Sequence, residues 1–136
     1  MILVVSSEAA SATPAATPAP LRIYDPAGES TVVVTISDVV QSSVRAKRVP
    51  GGTGILSFGL TRRGGARFHR LTLALARRGA RLHRPQRMAV AIDGSVSRPL
   101  IDHRFSPDGL DGRAPLVVDV PRFSMAQRFA RVLRRG

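Results

Sequence analysis

The sequence predicts an α+β fold: a two-layer sandwich with a largely antiparallel sheet and two main helices packed on one face. Three observations predict it. First, Arg87 to Ile92 alternates apolar residues up to Asp93-Gly94, and a second β-like run follows at once. That is the pattern of a tight hairpin, because Asp-Gly tolerates positive φ. Second, two segments carry an apolar face at helical spacing: Phe68, Leu71, Thr72 and Leu75, then Met125, Phe129, Val132 and Leu133. Third, short β-branched runs share the chain with these helices, and the hairpin stands at the centre of that order.

The elements follow in turn. Residues 1–20 are expected to be a disordered leader and linker, because Ser6 to Pro20 is rich in Ala, Ser, Thr and Pro and has no periodicity. Residues 21–136 are the folded domain. Leu21 to Tyr24 predicts a short strand, and Asp25-Pro26-Ala27-Gly28 a turn. Thr31 to Ile36 is a β-branched strand, after which Ser37 or Asp38 caps a short helix to about Ala46. Pro50-Gly51-Gly52 breaks the chain before a strand from Ile55 to Leu60.

Thr61 caps a helix over Arg62 to Arg78, with Gly64 and Gly65 weakening its first turn and Gly79 as its stop. Ala80 to Gln86 is a basic loop. The hairpin spans Arg87 to Ile92 and Val96 to His103, with Asp93 and Gly94 shaping the turn. Asp108-Gly109 and Asp111-Gly112 mark a loop before a strand at Leu116 to Val120. Ser124 and Gln127 have capping-box spacing at the start of the closing helix. The predicted core joins Phe58, Phe68, Leu71, Leu75, Val90, Ile92, Val118, Phe129 and Leu133.

The 136 residues suffice for one domain with a modest core, and 43% of them are apolar. With no Trp and a single Tyr, that core rests on aliphatic residues and five Phe. Cysteine is absent, which excludes disulfides, thiol nucleophiles and Cys-based zinc sites. No apolar run exceeds five residues, too short to span a bilayer. The start, Met1 to Val5 followed by Ala10-Ser11-Ala12, has two readings: an export-signal remnant with a peptidase-like site, or a plain leader. The first places the protein outside the cytoplasm. The second, with the N-terminus complete as given, leaves it inside.

The net charge of +12 sits wholly in residues 62–136, and Arg62 to Arg87 holds nine arginines and no acid. Arg63, Arg67, Arg70, Arg77 and Arg81 follow helical spacing, so the charge forms a stripe beside the apolar face. Such a stripe attracts phosphates, acidic protein segments or anionic lipid. Twenty of the 21 basic residues are Arg, however, and the Ala, Gly and Pro content matches a GC-rich coding bias, so an unselected excess stands as the other reading.

Nothing in the sequence assembles a catalytic or metal site, and no cofactor is expected. Asp93, Asp102, His103 and Asp108 are the titratable candidates. Asp93 is a turn residue, and Asp102-His103 lacks the spaced partners a metal needs. Gly51-Gly52-Thr53-Gly54 precedes a strand rather than a helix and lacks the Lys-Ser/Thr of a phosphate loop. No serine lies in a Gly-x-Ser-x-Gly elbow.

Four pieces in order resemble the head part of the first periplasmic domain of the SecD protein-export family. They are Ser57-Phe58-Gly59-Leu60-Thr61 with Gly64, the Phe-x-x-Leu-Thr pattern of Phe68 to Thr72, the strand Arg87 to Gly94 with its Val96 to Ile101 continuation, and the closing helix Phe123 to Gly136. The hairpin's second arm is one residue short of that pattern, the connection from Arg77 to Gln86 is longer and more basic, and SecD's membrane helices are missing. The resemblance implies a non-enzymatic, extracytoplasmic domain that contacts translocated polypeptide or a Sec translocon partner. Proton-driven pulling does not carry over without the membrane helices. The expected polypeptide contacts are the hairpin's far arm, Val96, Ser97, Arg98, Pro99, Leu100 and Ile101. The alternative is a nucleic-acid-binding protein using Arg63, Arg67, Arg70, Arg77 and Arg81.

Overall fold

The computed structural model describes residues 2–4 and 18–135. In chain order the elements are β1 (Ile2–Val4), β2 (Leu21–Tyr24), β3 (Val34–Thr35), a 3-10 turn (Ile36–Asp38), β4 (Val39–Arg48), β5 (Gly54–Leu60), α1 (Arg62–Leu82), β6 (Gln86–Arg87), β7 (Ala89–Ile92), β8 (Ser95–Ser97), β9 (Leu100–Ile101), β10 (Leu116–Val120) and α2 (Phe123–Arg135). The fold is the α+β sandwich the sequence predicts, and the described strand pairs are antiparallel except one. The strands divide between two four-stranded sheets, β1-β10-β5-β4 and β3-β2-β7-β8, with β6 and β9 as a separate ribbon. The parallel pair is β1 with β10.

The first sheet has one covered face. Gly54, Leu56 and Phe58 stand opposite Val120, Val118 and Leu116, and all six are buried. Helix α2 packs here: a Cβ at Gly54 would lie 2.9 Å from Ala126 Cβ. The intervening residues, Ile55, Ser57, Val117 and Asp119, line a half-buried opposite face, as the two-residue period of a strand requires. Phe68, Leu71 and Leu75 of α1 and Phe129 and Leu133 of α2 join one continuous cluster with residues of both sheets. All nine core residues expected from the sequence are fully buried.

Several local expectations are overturned. The short helix after Asp38 is instead the ten-residue strand β4. Its valines are β-branched, Val39 and Val44 are buried, and β5 offers a partner along both halves, interrupted by a bulge between Val40 and Arg45. Asp38 caps backward: its carboxylate accepts from the Thr35 N–H at 3.0 Å and pairs with Arg67 at 3.5 Å. The strand expected over Thr31 to Ile36 shrinks to Val34–Thr35.

Helix α1 starts where expected, with Thr61 Oγ1 accepting from the Gly64 N–H at 3.0 Å. It runs past Gly79 to Leu82 and ends on His83, which takes the left-handed position at φ 55°. Gly79 instead provides the carbonyl that receives the closing N–H groups of His83 and Arg84. The capping box expected at Ser124 does not form at the helix start: α2 begins one residue earlier, and Met125 and Ala126 donate to the Arg122 carbonyl. Most of the expected leader lies outside the described residues.

Candidate functional site

The central hairpin keeps one register throughout. Ile92 stands opposite Ser95 and Val90 opposite Ser97, and the same alignment continues through Arg87 with Leu100 to Gln86 with Ile101. At its tip Asp93 (φ 50°) and Gly94 (φ 85°) both take positive φ, the requirement of a two-residue type I′ turn. The ladder is interrupted at Pro99, which has no N–H to donate, although its carbonyl still accepts from the Met88 N–H at 2.9 Å. The expected hairpin is therefore one long ribbon that reads as two short strand pairs.

The far arm alternates in exposure. Ser97 and Ile101 are buried, whereas Arg98 and Leu100 are exposed. Of the six residues expected to contact polypeptide, Val96, Arg98 and Leu100 thus share one face, while Ser97, Pro99 and Ile101 share the other and position the arm. Ser97 Oγ is buried without a hydrogen-bond partner among the described residues. Leu100 is 53% exposed and Phe105, just beyond the arm, is 82% exposed. Leu82, at the end of α1, is also exposed. Leu100 lies on β9, which packs on α1, and His103, two residues before Phe105, approaches Gly79 near the end of that helix. Phe105 was not singled out in the sequence; its signal was an aromatic residue inside a polar, Pro-containing loop.

The arginines of the stripe differ in their surroundings. Arg67 is half-buried and pairs with Asp38, and Arg81 stands 3.9 Å from Glu29. Arg63, Arg70 and Arg77 are exposed, seven residues apart, and make no ion pair among the described residues. The arginine that the stripe omitted is Arg78. It lies on the apolar arc with Leu71 and Leu75, and its guanidinium is buried against Asp25 at 2.7 and 3.0 Å. Its Nε donates to Gln86 Oε1 at 2.7 Å, and Nη1 reaches Glu29 at 3.2 Å. The signal was its helical spacing from two core leucines.

The acidic candidates are dispersed. Asp93 sits in the turn, 3.7 Å from Arg128. Asp102 holds Arg104 in a two-pronged pair at 3.0 and 2.8 Å. That side chain, helped by the Arg104 N–H, holds the Asp102 carboxyl at about 2. Asp108 lines a groove of about 900 Å³ between the start of α1 and the loop that follows Pro107, which also takes in Arg62, His69, Asp111 and Arg113. Both signs of charge meet there, and His69 Nδ1 is already bonded to the Leu110 carbonyl at 3.1 Å. Among the described residues no three His, Asp or Glu converge as a metal-holding group.

The sheet edges differ in what occupies them. Side chains take the carbonyls through the irregular middle of β4: Arg45 donates to Ser42 and Val44, Ser43 to Val40, and Arg134 to Val44. At the other end of that sheet, the edge of β10 is taken by a strand, β1. Among the described residues no helix is long and apolar enough to cross a membrane.

No protein-family model and no curated protein matches this chain. Two solved structures do. One is a crystal structure of SecDF in a super-membrane-facing form, at 24% identity and a TM-score of 0.55. The other is SecDF described as a membrane component that enhances protein export, at 23% identity and the same TM-score. Each alignment covers 75% of this chain, but only 12% of the first SecDF chain and 40% of the second. At that identity the likeness is one of architecture: the chain has a SecD-like fold and spans less than half the length of either SecDF chain it matches.

Proposed function

We propose that this chain is a non-enzymatic, extracytoplasmic binding domain of the SecD head type, contacting translocated polypeptide or a translocon partner. The observation that carries the reading is the exposure of Leu100, on a strand that packs on α1, and of Phe105 beyond it, on a SecD-like fold. Leu100 and Phe105 are the most exposed large apolar residues described, and Arg98 and Arg104 adjoin them in sequence. An apolar surface with a cationic border suits an unfolded chain, because arginine stacks on side chains and donates to peptide carbonyls without demanding a particular sequence. The contact side chains are Val96, Arg98 and Leu100 of the arm, with Phe105 beside them.

The test is a pair of titrations at low and physiological salt. One ligand is a fluorescent, permanently unfolded polypeptide of neutral charge, and the other a duplex oligonucleotide. Polypeptide binding should survive physiological salt and weaken roughly tenfold in the Leu100→Glu/Phe105→Glu double variant, with unfolding by urea unchanged. Duplex binding alone, collapsing with salt and lost in Arg63→Gln/Arg70→Gln/Arg77→Gln, would overturn the reading in favour of a polyanion surface on α1. Protease accessibility in spheroplasts checks the compartment.

A further inference from the structure

An exposed sheet edge presents a row of unpaired N–H and C=O groups, which an added strand can satisfy irrespective of its sequence. The two ends of the first sheet handle this differently. At β4 a bulge interrupts the strand, and Arg45 and Arg134 occupy carbonyls in its irregular middle. At β10 no such side-chain block is present among the described bonds, and a strand is seated: Ile2, Leu3 and Val4 run parallel to Val117, Val118 and Asp119. That strand has three described residues, and the sequence joining it to Leu21 is rich in Ala, Ser, Thr and Pro.

We propose that the β10 edge is a strand-acceptor site for an extended aliphatic segment of another polypeptide, and that Ile2–Val4 is its built-in competitor. The inference rests on the polypeptide-binding reading above and adds where, and in what geometry, the backbone is held. The register sets the selectivity. A strand seated here places its middle residue beside Val118, on the face that α2 covers, so that position takes an aliphatic side chain. Its flanking residues fall beside Val117 and Asp119, on the half-buried open face, where β-branched residues of either polarity fit. The described pairing covers Val117, Val118 and Asp119 of the five residues of β10, so a longer segment in trans gains ladder at Leu116 and Val120 that this pairing does not supply. The resident strand competes at the high effective concentration of a tethered ligand, and it therefore lowers apparent affinity without closing the site.

The probe is a labelled peptide with the sequence Ile-Leu-Val-Val-Ser-Ser-Glu-Ala, which repeats residues 2–9, read by fluorescence anisotropy against the full chain. Leu3→Pro removes an N–H and the extended pairing of the resident strand, and should raise peptide affinity roughly tenfold. Ile2→Cys/Val117→Cys uses the absence of native cysteine to make a single bond across the register pair. Oxidised, it should block the peptide; reduced, it should bind as the unmodified chain does. Equal peptide affinity in the unmodified chain, Leu3→Pro and the oxidised double variant would overturn the proposal. So would a dimer of the unmodified chain that Leu3→Pro dissolves, since residues 2–4 would then serve a second copy. If the peptide result fails while unfolded polypeptide still binds and still responds to Leu100→Glu/Phe105→Glu, the functional reading stands without this site.

Discussion

Arg78 closes on both carboxylate oxygens of Asp25, a residue 53 positions earlier in the chain, at 2.7 and 3.0 Å. The pair joins the last quarter of α1 to the turn that follows β2, and through Gln86 to the start of the hairpin ribbon. Asp25 also accepts from the N–H groups of Ala27 and Ser30, so its lone pairs are used on both sides. One charge pair thereby fixes how the second sheet meets the helix.

Removing one partner of such a pair leaves the other charge buried and uncompensated. Arg78→Ala is therefore expected to destabilise the fold by about 3 kcal/mol. Arg81→Ala, which removes only an exposed contact at 3.9 Å to Glu29, should change stability by less than about 0.5 kcal/mol. Urea unfolding of the two variants checks the difference. Equal effects would show that the buried geometry contributes nothing.

Stability should fall in acid, and Asp25 should account for part of the fall. Burial pushes its carboxyl up, but the Arg78 guanidinium and the N–H groups of Ser30 and Ala27 outweigh burial and hold it below its ordinary value of 3.8. A folded-state value below the unfolded one means stability that is complete above 3.8 and lost as pH falls through the folded value. Asp25→Asn should flatten the pH dependence of urea unfolding in that window. Asp102 gives a second readout by NMR: its carboxyl should titrate at about 2 and return toward 3.8 in Arg104→Ala.

Gly65→Ala should invert the usual helix rule. Alanine is favoured over glycine in a helix interior by about 1 kcal/mol. Here a Cβ would stand 2.6 Å from the Gly112 carbonyl oxygen, and a Cβ at Gly112 would come still closer to Gly65. Overpacking against backbone should make Gly65→Ala destabilising by about 2 kcal/mol. A stabilised variant, by thermal or urea melting, would contradict the close approach.

The hairpin tip separates a replaceable residue from an irreplaceable one. Asp93→Asn should be neutral within about 0.5 kcal/mol, since Asn-Gly suits a type I′ turn and the 3.7 Å pair with Arg128 is exposed. Gly94→Val should cost about 2 kcal/mol, because a β-branched residue at φ 85° is strained. Paired melting curves decide between the two.

The Arg63, Arg70 and Arg77 positions should tolerate change. Each substitution to Gln should leave stability within about 0.5 kcal/mol, because these side chains are exposed and make no described ion pair. A large loss would mean that their stems pack on the core.

Periodicity and turn chemistry by themselves determined much of this protein. Both long helices, the hairpin turn at Asp93-Gly94, the strand Leu116–Val120 and the nine central core residues follow from local spacing, because an apolar face or a positive-φ pair is written in neighbouring residues. The resemblance to SecD likewise lay in short ordered patterns, and the structure has a SecD-like fold. What only the tertiary structure decided depends on distant partners. Val39 to Arg48 became a strand because β5 lies alongside it, Arg78 became a buried anchor because Asp25 comes to it, and Gly64 and Gly65 are packing residues because Asp38 and Gly112 press on them. The division of the strands into two sheets, and which of their edges carries a seated strand, belongs to the same class. Backbone edges are alike in sequence, and assembly alone sets which one is left open.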